Sequence, residues 1–569
     1  MKSTRAMRMF VSVLGAASLV ATACAPSSTT PPATQAQAET PVAGGRIIEG
    51  SFSDIQRLNP ATSNDATSSG ISGKIYDALV NVDAKTGDPI PWLGKWTVSA
   101  DGLTYSWTIE PKANWSDGKP IIADDFVTRV KAQLRSKVTP NKSQFDKVEG
   151  AKDYQAGKAT SISGIKVDAS DPKKFTVKFT DAFCPALLSV FGAAPLPTHI
   201  FGKYTVDSDI TKNVDEAPEN NNPPVASGPF KFKEWRKGDQ VILSRNESYF
   251  LGAPLLDEYV LKVVADSTAA SAQLKTGELT VNLIQPSEIA DLSKQDSLKI
   301  YRWQDPGYTY IGWREQSPTA TFFNDKRVRQ ALAYGINMKD VLQAVFFGEG
   351  TQMFSHHAPV SWAAATGLNP YAYDKAKAES LLKDAGYAKG ADGFYAKEGK
   401  TLGFTIVTNQ GNKTRETFLQ VAAEQYKQIG VKVNPKLEAF EALVPKLTGG
   451  NPEVEAVIIG WQIGAEADSY TLWHSSSIPT PEKGGNNFVF YKNPRIDTLL
   501  DTGRGPDCSK ETRKKAYQEF NQILNEDQPY NFGISGNRLL ATASNIRGID
   551  PGSFSPTGEW NIHKWWIKK

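Results

Sequence analysis

The sequence has few of the residues on which most active sites are built. Of its 569 residues, 3 are cysteine and 5 are histidine. Cys24, Cys184 and Cys508 lie far apart, so none has a neighbour at metal-ligand spacing, and a cysteine-only metal site is not expected. No GxSxG, HExxH, CxxC or phosphate-loop motif occurs, nor a GxGxxG between a strand and a helix. The usual signatures of esterases, metalloproteases, dithiol redox proteins and nucleotide binders are therefore missing. Charge of one sign is never concentrated: net charge is +3, with no run of five like charges. That is no footprint for nucleic acid. Past the first 24 residues no stretch reaches the roughly 18 apolar residues of a membrane span, so the rest should be soluble.

What the sequence does have begins at its N-terminus. Lys2, Arg5 and Arg8 precede Met9 to Ala23, an apolar or small-residue stretch with the length of a signal-peptide core. It ends Ala21-Thr22-Ala23-Cys24, which resembles a bacterial lipobox with Ala21 in place of the usual Leu. The resemblance implies a signal peptide over 1–23, cleavage before Cys24 and a lipid on its thiol, and such acylation anchors a protein to a membrane surface. A plain secretory signal is the alternative. Residues 25–44 are almost all Pro, Ser, Thr, Ala, Gln and Gly, the composition of a flexible tether. In an exported chain the remaining pair, Cys184 and Cys508, suggests a disulfide worth about 4–5 kcal/mol in the chain-entropy model; two separate buried thiols are the alternative.

The body reads as mixed α/β. In GLTYSWTIE, Thr104, Ser106 and Thr108 alternate with Tyr105, Trp107 and Ile109, the period of a half-buried strand. ADDFVTRVKAQL places Phe126, Val127, Val130 and Leu134 at helical spacing. Asp124 and Asp125 open that helix, where carboxylates cap free N–H groups more often than they catalyse. Strand TLGFTIVTN, helix GNKTRETFLQVAAEQYKQIG and strand VKVNPKLE form a βαβ unit, and EAVIIGW should join its sheet. The boundaries expected are a large α+β part over 45–305, an α/β part over 306–484, and a segment 485–569 that returns to the first part.

Two clusters invite a chemical reading. GWQIGAEADSYTLWHSS gathers Trp461, Glu466, Asp468 and His474 behind an apolar strand. His356 and His357 are adjacent in TQMFSHHAPVSW, the better candidate for a metal, although no second cluster supplies further ligands. An extracellular hydrolase using Glu466, Asp468 or His474 is one reading of the first cluster, and a ligand-binding floor is the other.

Six stretches, in order along the chain, resemble one family. They are LNPATSNDATSSGISGKIYDALV at 58–80, PWLGKW to DDF at 91–126, and NPPVASGPFKFKEW to SYF at 222–250. FFNDKRVRQALAYGI follows within 322–342, then TNQGNKTRETFLQ at 408–420 and FYKNPRIDTLLDTGR at 490–504. They look like the extracellular solute-binding proteins of family 5, which serve peptide and nickel ABC importers. The late segment is most similar to the oligopeptide-binding branch. The resemblance implies a two-lobed periplasmic-binding-protein-like fold, with an inserted second lobe, a ligand cleft between lobes and closure on the ligand. It implies a binding protein and not an enzyme, without cofactor or bound metal. Its partners would be an oligopeptide, a membrane permease and a lipid anchor, the chain being a monomer on the outer face of the cytoplasmic membrane. A sugar, an opine or a nickel chelate is the alternative ligand, and a sensory or adhesion module without a permease the alternative role.

The resemblance also implies cleft residues. Trp461 and Gln462 would form a wall or backbone partner, and Tyr310, Trp313, Asn409 and Gln410 would line the cleft. From the residues themselves, His356 and His357 either line the ligand site without a metal or sit in a plain surface loop. The peptide binders keep an Asp three residues after this tryptophan to hold the peptide amine. Gly464 stands there instead, so Glu466 or Asp468 is expected to supply the counter-charge.

Overall fold

A computed structural model describes residues 39–569 apart from 64, 140–141, 208, 210 and 481–483, and the side chain of Glu441. The signal sequence, Cys24 and most of the tether lie outside the described residues. From Pro41 onward the chain is one compact unit. It begins with strand β1 (Arg46–Ser51). A small antiparallel sheet follows, made of β2 (Gly94–Val98), β3 (Thr104–Ile109), β4 (Ile165–Val167) and β5 (Lys174–Lys178), in the order β2-β3-β5-β4. Tyr105, Trp107 and Ile109 are buried and their neighbours face outward, as the alternation predicts. Helix α1 (Ala123–Arg135) covers this part through Phe126, Val130 and Leu134. Its Asp125 accepts from the Ile122 N–H (3.0 Å), the Trp115 indole (2.9 Å) and the Thr198 N–H (2.8 Å), a buried cap and not a catalytic acid.

Strands β6 (Phe230–Arg236), β7 (Gln240–Arg245), β8 (Glu258–Val263), β9 (Val281–Leu283) and β10 (Leu298–Gln304) complete the first half of a large sheet. The second half contains β11 (Tyr308–Trp313), β12 (Gly350–Gln352), β13 (Gly403–Asn409), β14 (Lys432–Glu438) and β15 (Ala456–Trp461). Helix α2 (Lys413–Gln428) links β13 to the parallel β14, and β15 lies parallel to β13 on its other side. The expected βαβ unit and its third strand are therefore present. Phe418, Ala422 and Tyr426 of α2 are fully buried on the predicted apolar face.

One strand stitches the halves together. β16 (Tyr530–Ala543) pairs with β11 at its start and with β9 and β10 toward its end. The full order is β14-β13-β15-β11-β16-β9-β1-β8-β7-β6, with β10 and β12 also on β16. The first passage between halves is the three-residue step from Gln304 to Tyr308. The return lies later than position 485. Helices α3 (Pro494–Arg504) and α4 (Lys510–Asp527) pack Ile496, Leu500, Tyr517 and Phe520 against Tyr308, Val457 and Ile459 of the second half. Only within β16 does the chain cross back, and Ile546, Ile562 and Trp565 then enter the first core. The amphipathic pattern of α3 and α4 marks a buried face but not which sheet it meets.

Candidate functional site

Parallel strands β13 and β14 end at Asn409 and Glu438, and β15 ends at Trp461 on the same side. In α/β sheets ligands bind in the crevice outside such carboxyl ends. Trp461 is half-buried there. Its ring stacks on Tyr310 (centroids 6.2 Å, 18°) and tilts against Phe488 at 5.0 Å, while its indole N–H donates to the Tyr530 hydroxyl at 3.3 Å. The sequence thus locates Trp461 correctly at a strand end, as a ring held on one face by other aromatics.

Tyr310 and Trp313 do not line the crevice. Both are fully buried. Side chains alternate across a strand, so positions 310 and 313 point to opposite faces of β11, and each face is covered. Tyr310 joins one core, stacked on Tyr530 at 3.8 Å, and Trp313 joins the other beside Phe323, Phe404 and Tyr426. The near-continuous apolar run YTYIGW is the mark of a central strand covered on both sides. Its residues that reach the crevice are Tyr308 and Thr309, where the strand begins.

The crevice at this point is a cavity of about 280 Å³, lined by Asp305, Thr309, Arg415, Trp461, Gln462 and Arg538 among others. Arg538 pairs with Asp305 (Nε to Oδ2, 2.6 Å) and donates to Gln462 Oε1 at 2.9 Å. Arg415, in the first turn of α2, donates to Asn409 Oδ1 at 2.7 Å, and the Asn412 side chain caps the helix by accepting from the Arg415 N–H at 3.0 Å. Burial draws the Arg415 pKa below the usual arginine range. Asn409 therefore positions an arginine, and exposed Gln410 donates its N–H to the Glu438 carbonyl at 2.8 Å. Arg415 and Arg538 went unread in the sequence because an arginine near a helix start, or in a strand of mixed polarity, has the pattern of a solvated residue. The one available signal was the strand-loop-helix junction at the end of β13.

Glu466 and Asp468 are not free counter-charges. Glu466 accepts from Arg513, and Asp468 pairs with Arg504 at 3.2 Å. Burial raises the pKa of both acids, and the paired arginine opposes the rise in each case. Glu466 and Arg513 face a second cavity of about 590 Å³. The Cys184–Cys508 disulfide, Tyr105 and Trp362 also line it, so residues from both halves of the chain meet there. The expected bridge is formed. Gly464 lies exposed between the two cavities, with open space where a side chain would start.

His356 and His357 are buried in the core and do not reach the crevice. His356 Nδ1 meets the Tyr308 hydroxyl at 2.8 Å; His357 lies 3.0 Å from the Ala467 carbonyl and 2.9 Å from Asn521. Burial lowers both pKa values, that of His357 to about 4, so both rings are neutral braces under the loop that carries Glu466 and Asp468. Among the described residues no group of three His, Cys, Asp or Glu is placed to hold a metal. His474 stacks on Tyr470 at 4.1 Å and bonds Ser476 at 2.7 Å. It makes no contact with Glu466 or Asp468 that would form an acid–base pair.

A protein with this topology and a polar crevice at the strand ends is a mixed α/β solute-binding scaffold. Residues 88–480 match the family described as bacterial extracellular solute-binding proteins, family 5 Middle, and the chain belongs to that family. It is 31% identical over 581 residues to the oligopeptide-binding protein AppA of Bacillus subtilis, covering 100% of each chain. It is 27% identical over 535 residues to heme-binding protein A of Haemophilus influenzae, covering 91% of this chain and 92% of that one. Among solved structures, Bacillus subtilis AppA in complex with a nonapeptide superposes with TM-score 0.72 at 30% identity, over 93% of this chain and 100% of that one. Campylobacter jejuni NikZ in complex with Ni(L-His) gives TM-score 0.73 at 25% identity, over 92% and 99%. The relatives share the scaffold while their names assign them different ligands.

Proposed function

We propose that this protein captures oligopeptides outside the cytoplasmic membrane and delivers them to an ABC permease, as a monomeric binding protein that performs no chemistry. The observation that carries the reading is the end-to-end similarity to a protein named for oligopeptide binding. The geometry supports it: one loop borders two cavities, Trp461 and Gln462 at the first, Ala465 and Glu466 at the second. An extended chain lying along that loop can offer its backbone to the crevice walls while its side chains rest in hydrated space.

The two halves act as lobes in this reading, residues 45–305 with the end of the chain against the segment from 306 into β16. Ligand contacts to both favour the closed arrangement. Lipid on Cys24 holds the protein at the outer face of the membrane, and the tether gives it reach. The test is native mass spectrometry of the protein from Gly45 onward. Bound masses that fragment as peptides are expected. A ligand-free protein that only a sugar or a nickel chelate stabilises would reject the peptide assignment.

A further inference from the structure

The crevice at the strand ends presents cations. Gly464 carries no charge, and Glu466 and Asp468 are held by Arg513 and Arg504. The cavity at Trp461 has two guanidinium groups, Arg415 and Arg538, against the single carboxylate of Asp305, which Arg538 already occupies at 2.6 Å. Arg415 is left to the neutral amide of Asn409, and among the described residues no carboxylate pairs with it. Its position is built: a Cβ on Gly460 would lie 3.2 Å from Arg415 Nη2, so the glycine leaves the room that the guanidinium fills. Asn412, the N-cap of the 16-residue helix α2, and Thr414 in its first turn line the same cavity, and the positive end of that helix dipole adds to the field.

A partly buried cation without a counter-ion loses some of its hydration uncompensated, and a bound anion offsets that cost. We infer that Arg415 is the anchor of the site and that it holds a carboxylate of the ligand, so that a peptide enters with its C-terminal or an acidic side-chain carboxylate at Trp461 and needs no free amine there. A planar guanidinium suits a carboxylate through paired N–H donors. The inference deepens the oligopeptide reading and rests on it for the identity of the ligand, but not for its charge.

The test uses the whole chain and its Arg415→Gln variant. Both are titrated with a mixed-sequence nonapeptide pool lacking Asp and Glu in three forms: free ends, C-terminal amide and N-acetyl. Amidation is expected to weaken wild-type binding at least tenfold and N-acetylation less than threefold. Arg415→Gln should lose the free acid by a similar factor and bind acid and amide alike. Loss on N-acetylation with tolerance of the amide would overturn the anchor, as would equal binding of acid and amide by the wild type. If no peptide form binds, the peptide reading fails by itself, and the anchor is then judged on solute recovered from the producing cells. It stands if that solute carries a carboxylate or phosphate and is absent from Arg415→Gln. It falls if a neutral or cationic solute remains bound to the variant. An unchanged melting temperature in the variant separates lost binding from lost folding.

Discussion

Asp77 and His357 show how single buried groups set the response of this protein to pH. Asp77 is buried, and desolvation raises its carboxyl pKa to about 7 against the ordinary 3.8. Between those values the unfolded chain has released a proton that the fold retains, so stability falls as pH rises from 4 to 7. His357 works in the opposite sense. Its pKa falls from 6.5 to about 4, so the unfolded chain takes up a proton in that interval and stability falls as pH drops. The two slopes have opposite signs. Asp77→Asn should remove the first, so its stability relative to wild type rises with pH across 4–7, by an amount on the order of a few kcal/mol. Urea unfolding at half-unit pH steps reads the difference, and a flat difference would show that Asp77 titrates normally in the fold. At this scale the sequence was legible where type and position agree. Trp461 ends a predicted strand and meets the crevice. Tyr310 and Trp313 were misread because aromaticity was weighed above alternation, and His356 and His357 because neighbouring imidazoles look like ligands until burial is known. Arg415 was missed because nothing in one sequence says which arginine lacks an acid.

Among elements, the loop after β15 depends on ion pairs to the last two helices. Arg513 of α4 binds Glu466 and also donates to the Gly503 carbonyl at 2.8 Å, and Arg504 at the end of α3 binds Asp468 and lies over the ring of Tyr470 at 4.2 Å. The Glu466–Arg513 side chains are 21% and 10% exposed, dry enough that removing one leaves the other stranded. Glu466→Ala is expected to cost about 3 kcal/mol, a fall of a few degrees in melting temperature for a chain of this size. A residue serving only the ligand would instead lose affinity at constant stability, so calorimetry with and without bound peptide separates the two roles. The elements themselves were largely legible: period-two patterns became strands, and KETRKKAYQEFNQILNED became α4 over Lys510–Asp527. Their partners were not. A helix with one apolar stripe records that it is covered, and the choice between half-sheets is made by residues far away in sequence.

Among the described residues the halves meet in several places, the Arg302–Glu349 ion pair among them, and three of these links bear on opening. Two are strand passages, from β10 to β11 and along β16. The third is covalent: Cys184–Cys508 spans 324 residues of sequence, with the Lys510–Asp88 ion pair beside it and the Arg504 carbonyl accepting from the Cys184 N–H at 2.9 Å. Lobes hinged only at the strand passages would swing freely at their far side. If the halves move as proposed, a bridge beside the second cavity would limit that swing, because any opening would turn about an axis close to the sulfurs. Removing the bridge therefore has two expected effects. The unfolded chain regains the freedom of a very long loop, which costs the fold about 5 kcal/mol, or several degrees in melting temperature. The ligand-free protein should also open further. The double variant Cys184→Ser, Cys508→Ser is expected to show a larger radius of gyration than wild type by small-angle scattering when empty and the same radius when peptide is bound. Ligand release should be faster in stopped-flow chase, since a wider excursion frees both ends of a peptide at once. Equal radii and equal release rates would place the disulfide within one rigid body and leave it a role in stability alone.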